Sequence, residues 1–369
     1  MILGLLAAVL FLAYTNGAND NVKGVATLMG SGTTDDRRAL WWATATTFAG
    51  SVTAVLLSGR LVTVFSGKGL VPDALTQAPS FLLAVGLGAA LTVLLATLTG
   101  FPISTTHALT GALIGAGLLS AGSVNLARLG QAFFLPLALS PLLSFALTAA
   151  LYPALRVVRT RLGVERQLCL CADGGAFQPV QVRPDGTAVL RPTGLTLTVG
   201  ELRQCVERYH GVVLGLDAQW MLDRLHVVSA GLVSFARGLN DTPKIVALLM
   251  AVRGLGLSLS SGLFAVGIAM ALGGLLQARN VARTMSRRIT TMNHGQGFTA
   301  NLVTLLLVTA ASRYGLPVST THVSCGSLFG LGSVTGSARW GVIRGIVVSW
   351  LTTLPIAAVL AASIAWVVR

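Results

Sequence analysis

Two aspartates stand where a membrane chain can least tolerate them. Asp20 and Asp241 each lie inside an apolar stretch, and each is followed three residues on by a lysine, Lys23 and Lys244. A carboxylate in such surroundings costs several kcal/mol unless it is paired or lines a polar cavity. Residues three apart share a helix face, so each aspartate can simply pair with its own lysine. The rival reading is a shared site that uses both copies, and the recurrence of the arrangement favours it. Outside residues 156–224 the only other acidic residues are Asp35, Asp36 and Asp73, all in expected loops. Lysine itself is scarce: Lys23, Lys68 and Lys244 stand against 23 arginines. Arginine would be the expected choice wherever any cation served, so a compact ammonium with three donors is specifically required at 23 and 244.

A second pair of motifs follows the first. Pro102-Ile103-Ser104-Thr105-Thr106-His107 is answered by Pro317-Val318-Ser319-Thr320-Thr321-His322, and Gly111, Gly115 and Gly117 by Gly326, Gly330 and Gly332. Aspartate and serine are 84 residues apart in the first half (20 to 104) and 78 in the second (241 to 319). Two motifs recurring in order at nearly equal spacing indicate internal duplication. Proline near the start of a helix, with Ser and Thr in its first turn, predicts a helix N-terminus at each run. Free backbone N–H groups and hydroxyls would there face an anion. The stretches that follow, Ala108–Leu119 and Val323–Leu331, are too short to span comfortably and read as half-helices flanking a midplane site. Close helix contact accounts for the repeated glycines. His107 and His322 read as core histidines bonded to backbone, with a proton relay as the alternative. Ser, His and Asp together also fit an intramembrane hydrolase, but a catalytic triad is needed once and a pseudo-symmetric binding site twice. A channel is the other rival; buried charge beside broken helices favours alternating access.

The surrounding chain must hold these residues in a bilayer. Of its 369 residues 53% are hydrophobic and only 10% charged, with a mean hydropathy of +0.76; a soluble chain carries about 25% charged residues. Met1–Tyr14, Leu40–Leu57, Phe81–Leu98, Ala132–Tyr152, Leu259–Leu276 and Gly345–Val368 approach the roughly 20 residues that cross a hydrocarbon core. The net charge of +14 sits at the ends of apolar segments, as basic loops on the inner side do, rather than on a soluble face built for nucleic acid. The first segment has no basic start and is expected to be a retained span. Cys169, Cys171, Cys205 and Cys325 make no disulfide framework; Cys169 and Cys171 could bind a metal, but the absence of a second pair nearby favours plain structural cysteines.

From Arg156 to Arg224 the composition changes: 9 of the 26 basic and 7 of the 12 acidic residues fall there. Gln178–Val182 and Thr187–Leu190 look strand-like, Pro184-Asp185-Gly186 is a turn signal, and Val199–Tyr209 has helical character. The expected organisation is therefore membrane repeat 1 over 1–155, a small α+β cytoplasmic insert over 156–224 and membrane repeat 2 over 225–369. Arg156, Arg159, Arg161 and Arg166 mark one inner loop and Arg279, Arg283, Arg287 and Arg288 another, with spans near 225–250 and 256–277 between them. Counting back puts Asp35-Asp36-Arg37-Arg38 inside and both termini outside. Each half then has five segments, an odd number, which inverts one repeat relative to the other. Arg253 and Arg313 fall on the outer side in this scheme, against the rule. The fold class is an all-α polytopic membrane protein of two inverted repeats with broken helices, plus the insert.

At Gly17–Asp20, Gly238–Asp241 and the two Pro-x-Ser-Thr-Thr-His runs, the sequence resembles the inorganic phosphate transporter family of the Pit type, sodium- or proton-coupled symporters. The resemblance covers both membrane halves but not the insert. It implies that Ser104, Thr105, Thr106, Ser319, Thr320 and Thr321 contact phosphate. It also implies that Asn19, Asp20, Asn240 and Asp241 coordinate the coupling cation or shape its site, with Na+ at Asp20 and Asp241. One departure matters. The family motif reads Gly-Ala-Asn-Asp-Val-Ala-Asn-Ala, and its second Asn falls at Lys23 and Lys244. Lysine has no acceptor to offer sodium, so the two ammonium groups either replace bound cations or pair with the oxyanion, and proton coupling competes with sodium. Phosphate and sulfate are both tetrahedral. Acceptors at Asp20 and Asp241 favour phosphate, which keeps a proton to donate, over sulfate, which does not. The expected partners are phosphate and the lipid bilayer of the cell membrane, with a homodimer as a candidate assembly and neither cofactor nor nucleic acid.

Overall fold

The computed structural model describes residues 1–57, 62, 65–67, 69–167, 170–173, 196–199, 208–250, 258–314, 316 and 318–368. These form two compact units, one made of Met1–Val157 with Leu222–Arg369 and the other of Val158–Met221.

The larger unit is helical. In chain order its elements are α1 (Ile2–Asp20), a 3-10 turn (Asn21–Gly24), α2 (Ala26–Ser31), α3 (Asp36–Leu57), α4 (Pro79–Thr99), α5 (Thr105–Ala121) and α6 (Leu135–Arg161). After the smaller unit come α7 (Ala218–Met250), α8 (Leu259–Gln277), α9 (His294–Tyr314), α10 (Thr320–Thr335) and α11 (Trp340–Val367). The first half maps onto the second element by element. The α1–turn–α2 series answers α7, and α3 to α6 answer α8 to α11, with Asp20 matching Asp241 and Ser104 matching Ser319. Among the described residues five helical stretches are long and apolar enough to cross a membrane: Ile2–Gly24, Pro79–Thr99, Leu135–Arg161, Ser260–Gln277 and Trp340–Val367.

Glycines decide how the halves meet. A Cβ added at Gly17 of α1 would lie 1.9 Å from the Met270 carbonyl oxygen of α8, and one at Gly273 of α8 would lie 1.9 Å from that of Tyr14. The equivalent contact joins α7 to α3, where a Cβ at Gly238 would sit 2.1 Å from the Thr47 oxygen and one at Gly50 2.0 Å from that of Phe235. Backbones this close leave no room for a side chain. The short helices obey the same rule: Gly111 and Gly115 of α5 press on the Leu354 and Ala358 carbonyls of α11, and Gly326 and Gly330 of α10 on those of Pro141 and Phe145 of α6. Each half thus packs its motif-bearing helices against the other half, which is the close contact the glycine spacing predicts.

Several expectations need correction. Helix α5 has 17 residues and α10 has 16, longer than the apolar stretches suggested, because the Ser/Thr runs open the helices themselves. At about 1.5 Å per residue they reach roughly 25 Å, still short of a 30 Å core. Both end on left-handed glycines, Gly122 (φ 73°) and Gly336 (φ 71°), a conformation that favours a residue without Cβ. Arg156, Arg159 and Arg161 lie on the last turns of α6 and not in a loop, where cations complement the helix C-terminus. Arg279 and Arg283 lie on a short helix (Arg279–Arg283), and Arg287 and Arg288 on the wide π-helical turn that follows it (Thr284–Arg288).

The smaller unit holds paired strands: β1 (Glu165–Gln167) with β4 (Arg208–His210), β2 (Leu170–Asp173) with β3 (Thr196–Val199), and β5 (Val212–Val213) with β6 (Leu216–Asp217), all antiparallel. Leu214 and Gly215, between β5 and β6, both have positive φ, the signature of a tight type I′ hairpin. Of the helical expectation for Val199–Tyr209, the described ends are strand instead: Val199 closes β3 and Tyr209 lies in β4. Residues 200–207, the strand-like runs 178–182 and 187–190, the turn at 184–186, Lys68, Cys169, Cys205, Arg253 and Pro317 lie outside the described residues.

Candidate functional site

The Ser/Thr runs do start helices. Ser104 and Ser319 are the N-caps of α5 and α10, their hydroxyl oxygens accepting from the backbone N–H of His107 at 3.2 Å and of His322 at 3.1 Å. Thr105, Thr106, Thr320 and Thr321 form the first turns, and all six residues are buried. The two N-termini therefore face the interior of the larger unit with orphan N–H groups and hydroxyls, an anion-binding geometry presented twice. Replacing either cap serine by alanine is expected to cost about 0.5–2 kcal/mol of stability, measured as the shift in the thermal unfolding midpoint. The two substitutions should be close to equal because the caps are equivalent.

The aspartate–lysine pairs lie beside these helix starts. Lys23 Nζ pairs with Asp20 and donates to the Ile103 carbonyl at 3.1 Å and to the Thr321 hydroxyl of the opposite half. Lys244 Nζ pairs with Asp241 at 3.2 Å and donates to the Val318 carbonyl at 3.0 Å and to the Thr106 hydroxyl, again of the opposite half, at 3.1 Å. The same three kinds of partner recur on each side of a pseudo-twofold. Each aspartate is thus paired locally, and both belong to one hydrogen-bonded cluster. The backbone is less symmetric: α1 ends at Asp20 and Lys23 rides on the 3-10 turn, whereas α7 continues through Asp241, Pro243 and Lys244.

The asparagines hold the approach to the helix starts. Asn19 donates to the Thr97 hydroxyl and the Phe101 carbonyl, both at 3.0 Å, and accepts from the Ile103 N–H at 3.1 Å. Asn240 donates to Asp241 at 3.2 Å and toward the Val318 carbonyl at 3.5 Å. His107 and His322 meet edge to face, with ring centroids 4.6 Å apart. His322 Nδ1 donates to the Leu137 carbonyl at 3.1 Å, the backbone bond of a core histidine. Trp350 lies against the His322 ring and donates to the Pro102 carbonyl at 2.9 Å.

Sequence reasoning missed three members of this cluster. Arg237 is buried, donates to Asn16 Oδ1 at 2.7 Å and to Thr47 Oγ1 at 3.3 Å, and pairs with Asp241 at 3.5 Å. Asn16 in turn donates to Asp20 at 3.1 Å and to the Thr105 hydroxyl at 2.9 Å. Asn21 accepts from Arg237 at 3.5 Å and donates to Thr44 Oγ1 at 2.8 Å. A usable signal existed: Arg237 stands four residues before Asp241 in an otherwise apolar run. A separate polar group joins α2, α7 and α9. There His226 lies 3.0 Å from Thr27 Oγ1, and His294 lies 3.1 Å from Thr33 Oγ1 and 2.5 Å from Asp223.

Comparison with known proteins supplies the family. The pattern of the phosphate transporter family runs through residues 16–361. The chain belongs to that family. Its similarity to individual members extends over nearly the whole chain. It is 28% identical to a "Probable low-affinity inorganic phosphate transporter" of Rhizobium meliloti, over 98% of this chain and 95% of that one. It is 27% identical to the "Inorganic phosphate transporter 2-1, chloroplastic" of Arabidopsis thaliana, over 97% and 70%. A solved structure, "The sodium-dependent phosphate transporter", superposes with a TM-score of 0.74 over 99% of this chain and 98% of its own, at 22% identity. This phosphate transporter family member is an integral membrane transporter and not an enzyme, and the hydrolase reading falls away.

Proposed function

We propose that this transporter carries inorganic phosphate by alternating access, binding it between the N-termini of α5 and α10. The observation that carries the reading is the pair of lysines, each linking the aspartate of its own half to a first-turn threonine of the other. Ser104, Thr105, Thr106, Ser319, Thr320 and Thr321 would ring the anion with N–H and hydroxyl donors, and rocking of the halves would expose it to either side. Lys23 and Lys244 are then built-in cations, occupying with their ammonium groups the carboxylates that would otherwise hold sodium. Coupling passes to protons. The rival places Na+ at Asp20 and Asp241, with Asn19 and Asn240 completing its shell. Likeness to a solved sodium-dependent phosphate transporter favours that rival. The arginines on the last turns of α6 and those that follow α8 support the 156–224 insert on the cytoplasmic side of a plasma or inner membrane, with both termini outside.

Phosphate is preferred to sulfate for one reason on the aspartates. Asp241 Oδ2 is buried, faces Arg237 Nε at the long separation of 3.5 Å and accepts no closer hydrogen bond among the described residues, which leaves it a lone pair for the proton that phosphate keeps and sulfate lacks. Uptake of labelled phosphate into proteoliposomes, with excess unlabelled sulfate, tests this. Phosphate accumulation indifferent to sulfate is expected. Accumulation of labelled sulfate in place of phosphate would keep the architecture and overturn the substrate.

A further inference from the structure

The site is doubled in every charged element but one. Asp20 matches Asp241 and Lys23 matches Lys244, but the residue four positions before the aspartate is Asn16 in one half and Arg237 in the other. These two equivalent positions touch each other, Arg237 Nη2 donating to Asn16 Oδ1 at 2.7 Å. Two like side chains would meet there if the symmetry were complete, and two guanidinium groups in contact would repel. The contact therefore admits one guanidinium and not two, and the one present leaves an odd charge. Lys23, Lys244 and Arg237 supply three positive charges against the two negative charges of Asp20 and Asp241, and all five are at most 4% exposed.

We infer that Arg237 is a specificity-determining residue that sets the binding site at one net positive charge, matching a monovalent tetrahedral oxyanion. The inference rests on the phosphate reading above and adds the charge state of the bound species. A dianion in the same site leaves one uncompensated negative charge, and a neutral site leaves the anion itself uncompensated. Either is costly where the surroundings are apolar and the site must change its exposure while loaded. A monoanion brings the loaded cluster to neutrality. The groups that face Arg237 are Asn16 and Asp20 of α1, Asn21 of the 3-10 turn, Thr47 of α3 and Asp241 of α7. None of them adds a further cation. His107 and His322 lie beyond the threonines, and a proton on either would raise the total.

Equilibrium binding of inorganic phosphate to the full chain in detergent, over the pH range in which phosphate loses its second proton, tests this with a ladder of site charge. For the wild type the apparent affinity for total phosphate should fall as pH rises, following the monoanion fraction. Arg237→Gln should weaken phosphate binding by about thirtyfold or more, and Arg237→Lys should stay within about threefold of the wild type and keep its pH profile. Asp241→Asn adds a net positive charge, so its affinity should no longer fall with pH and sulfate should become a competitor. The exchange variant N16R/R237N, which returns the charge from the opposite half, should recover binding that Arg237→Asn alone loses; it serves also if Arg237→Gln does not fold. Wild-type affinity and pH profile in Arg237→Gln, or no recovery in the exchange variant, would overturn the inference and leave phosphate transport standing. A wild type that binds sulfate and no phosphate at any pH would overturn both.

Discussion

Lys23→Met is expected to abolish phosphate uptake and to destabilise the protein by about 3–5 kcal/mol, the usual cost of stripping one partner from a buried ion pair. Lys23 is 1% and Asp20 2% exposed, so water cannot take over the solvation of the abandoned carboxylate. The loss extends to both halves, because the same ammonium donates to the Ile103 carbonyl and the Thr321 hydroxyl. Stability and transport can be separated. In the double variant D20N/K23M the orphan charge is gone, and an apolar or neutral replacement of a buried pair is often close to neutral in stability. Its thermal midpoint should therefore return most of the way to the wild type while uptake stays absent. Recovery of uptake along with stability would reduce the pair to a structural role.

Gly17→Ala is expected to cost more than about 3 kcal/mol or to prevent accumulation of folded protein, as is Gly273→Ala across the same contact. Core overpacking ordinarily costs about 1–3 kcal/mol, but there a flexible side chain usually moves aside. Here the new Cβ would meet the carbonyl oxygen of Met270 or Tyr14 at 1.9 Å, and only separation of α1 from α8 relieves it. That separation also moves Asn16, Asn19 and Asp20 on the same helix. Gly122→Ala is the control: it adds a methyl group with nothing within 4 Å and should lose only about 1 kcal/mol for its left-handed backbone. Detergent-extracted yield and thermal midpoint read out both. A well-folded Gly17→Ala protein with an ordinary midpoint would contradict the close α1–α8 contact.

The sequence carried the symmetry of the site well, because duplication writes it twice. Asp20 and Lys23, Asp241 and Lys244, and the two Ser-Thr-Thr runs stand out as pairs, and their spacing on helix faces and at helix starts makes their chemistry readable. Arg237 escapes because its partner position holds Asn16: a search for repeated residues passes over the place where the copies differ. The glycines declare close packing but not the partner, since which backbone they approach depends on how the halves interlock. Helix α6 runs past Arg156 because basic residues suit a helix C-terminus as readily as a loop. The role of Asn19 is another case. Its side chain grips Phe101 and Ile103, 82 and 84 residues away, a contact no local pattern announces.

The most direct test of built-in cations is the driving force itself. Proteoliposomes containing the full chain would be loaded in sodium-free buffer and given, in separate arms, an inward proton gradient without sodium and an inward sodium gradient at equal pH. Phosphate accumulation above equilibrium in the proton arm, with no further gain when sodium is added, is the predicted result. Accumulation only in the sodium arm would contradict it, and would mean that Lys23 and Lys244 leave room for sodium beside Asp20 and Asp241.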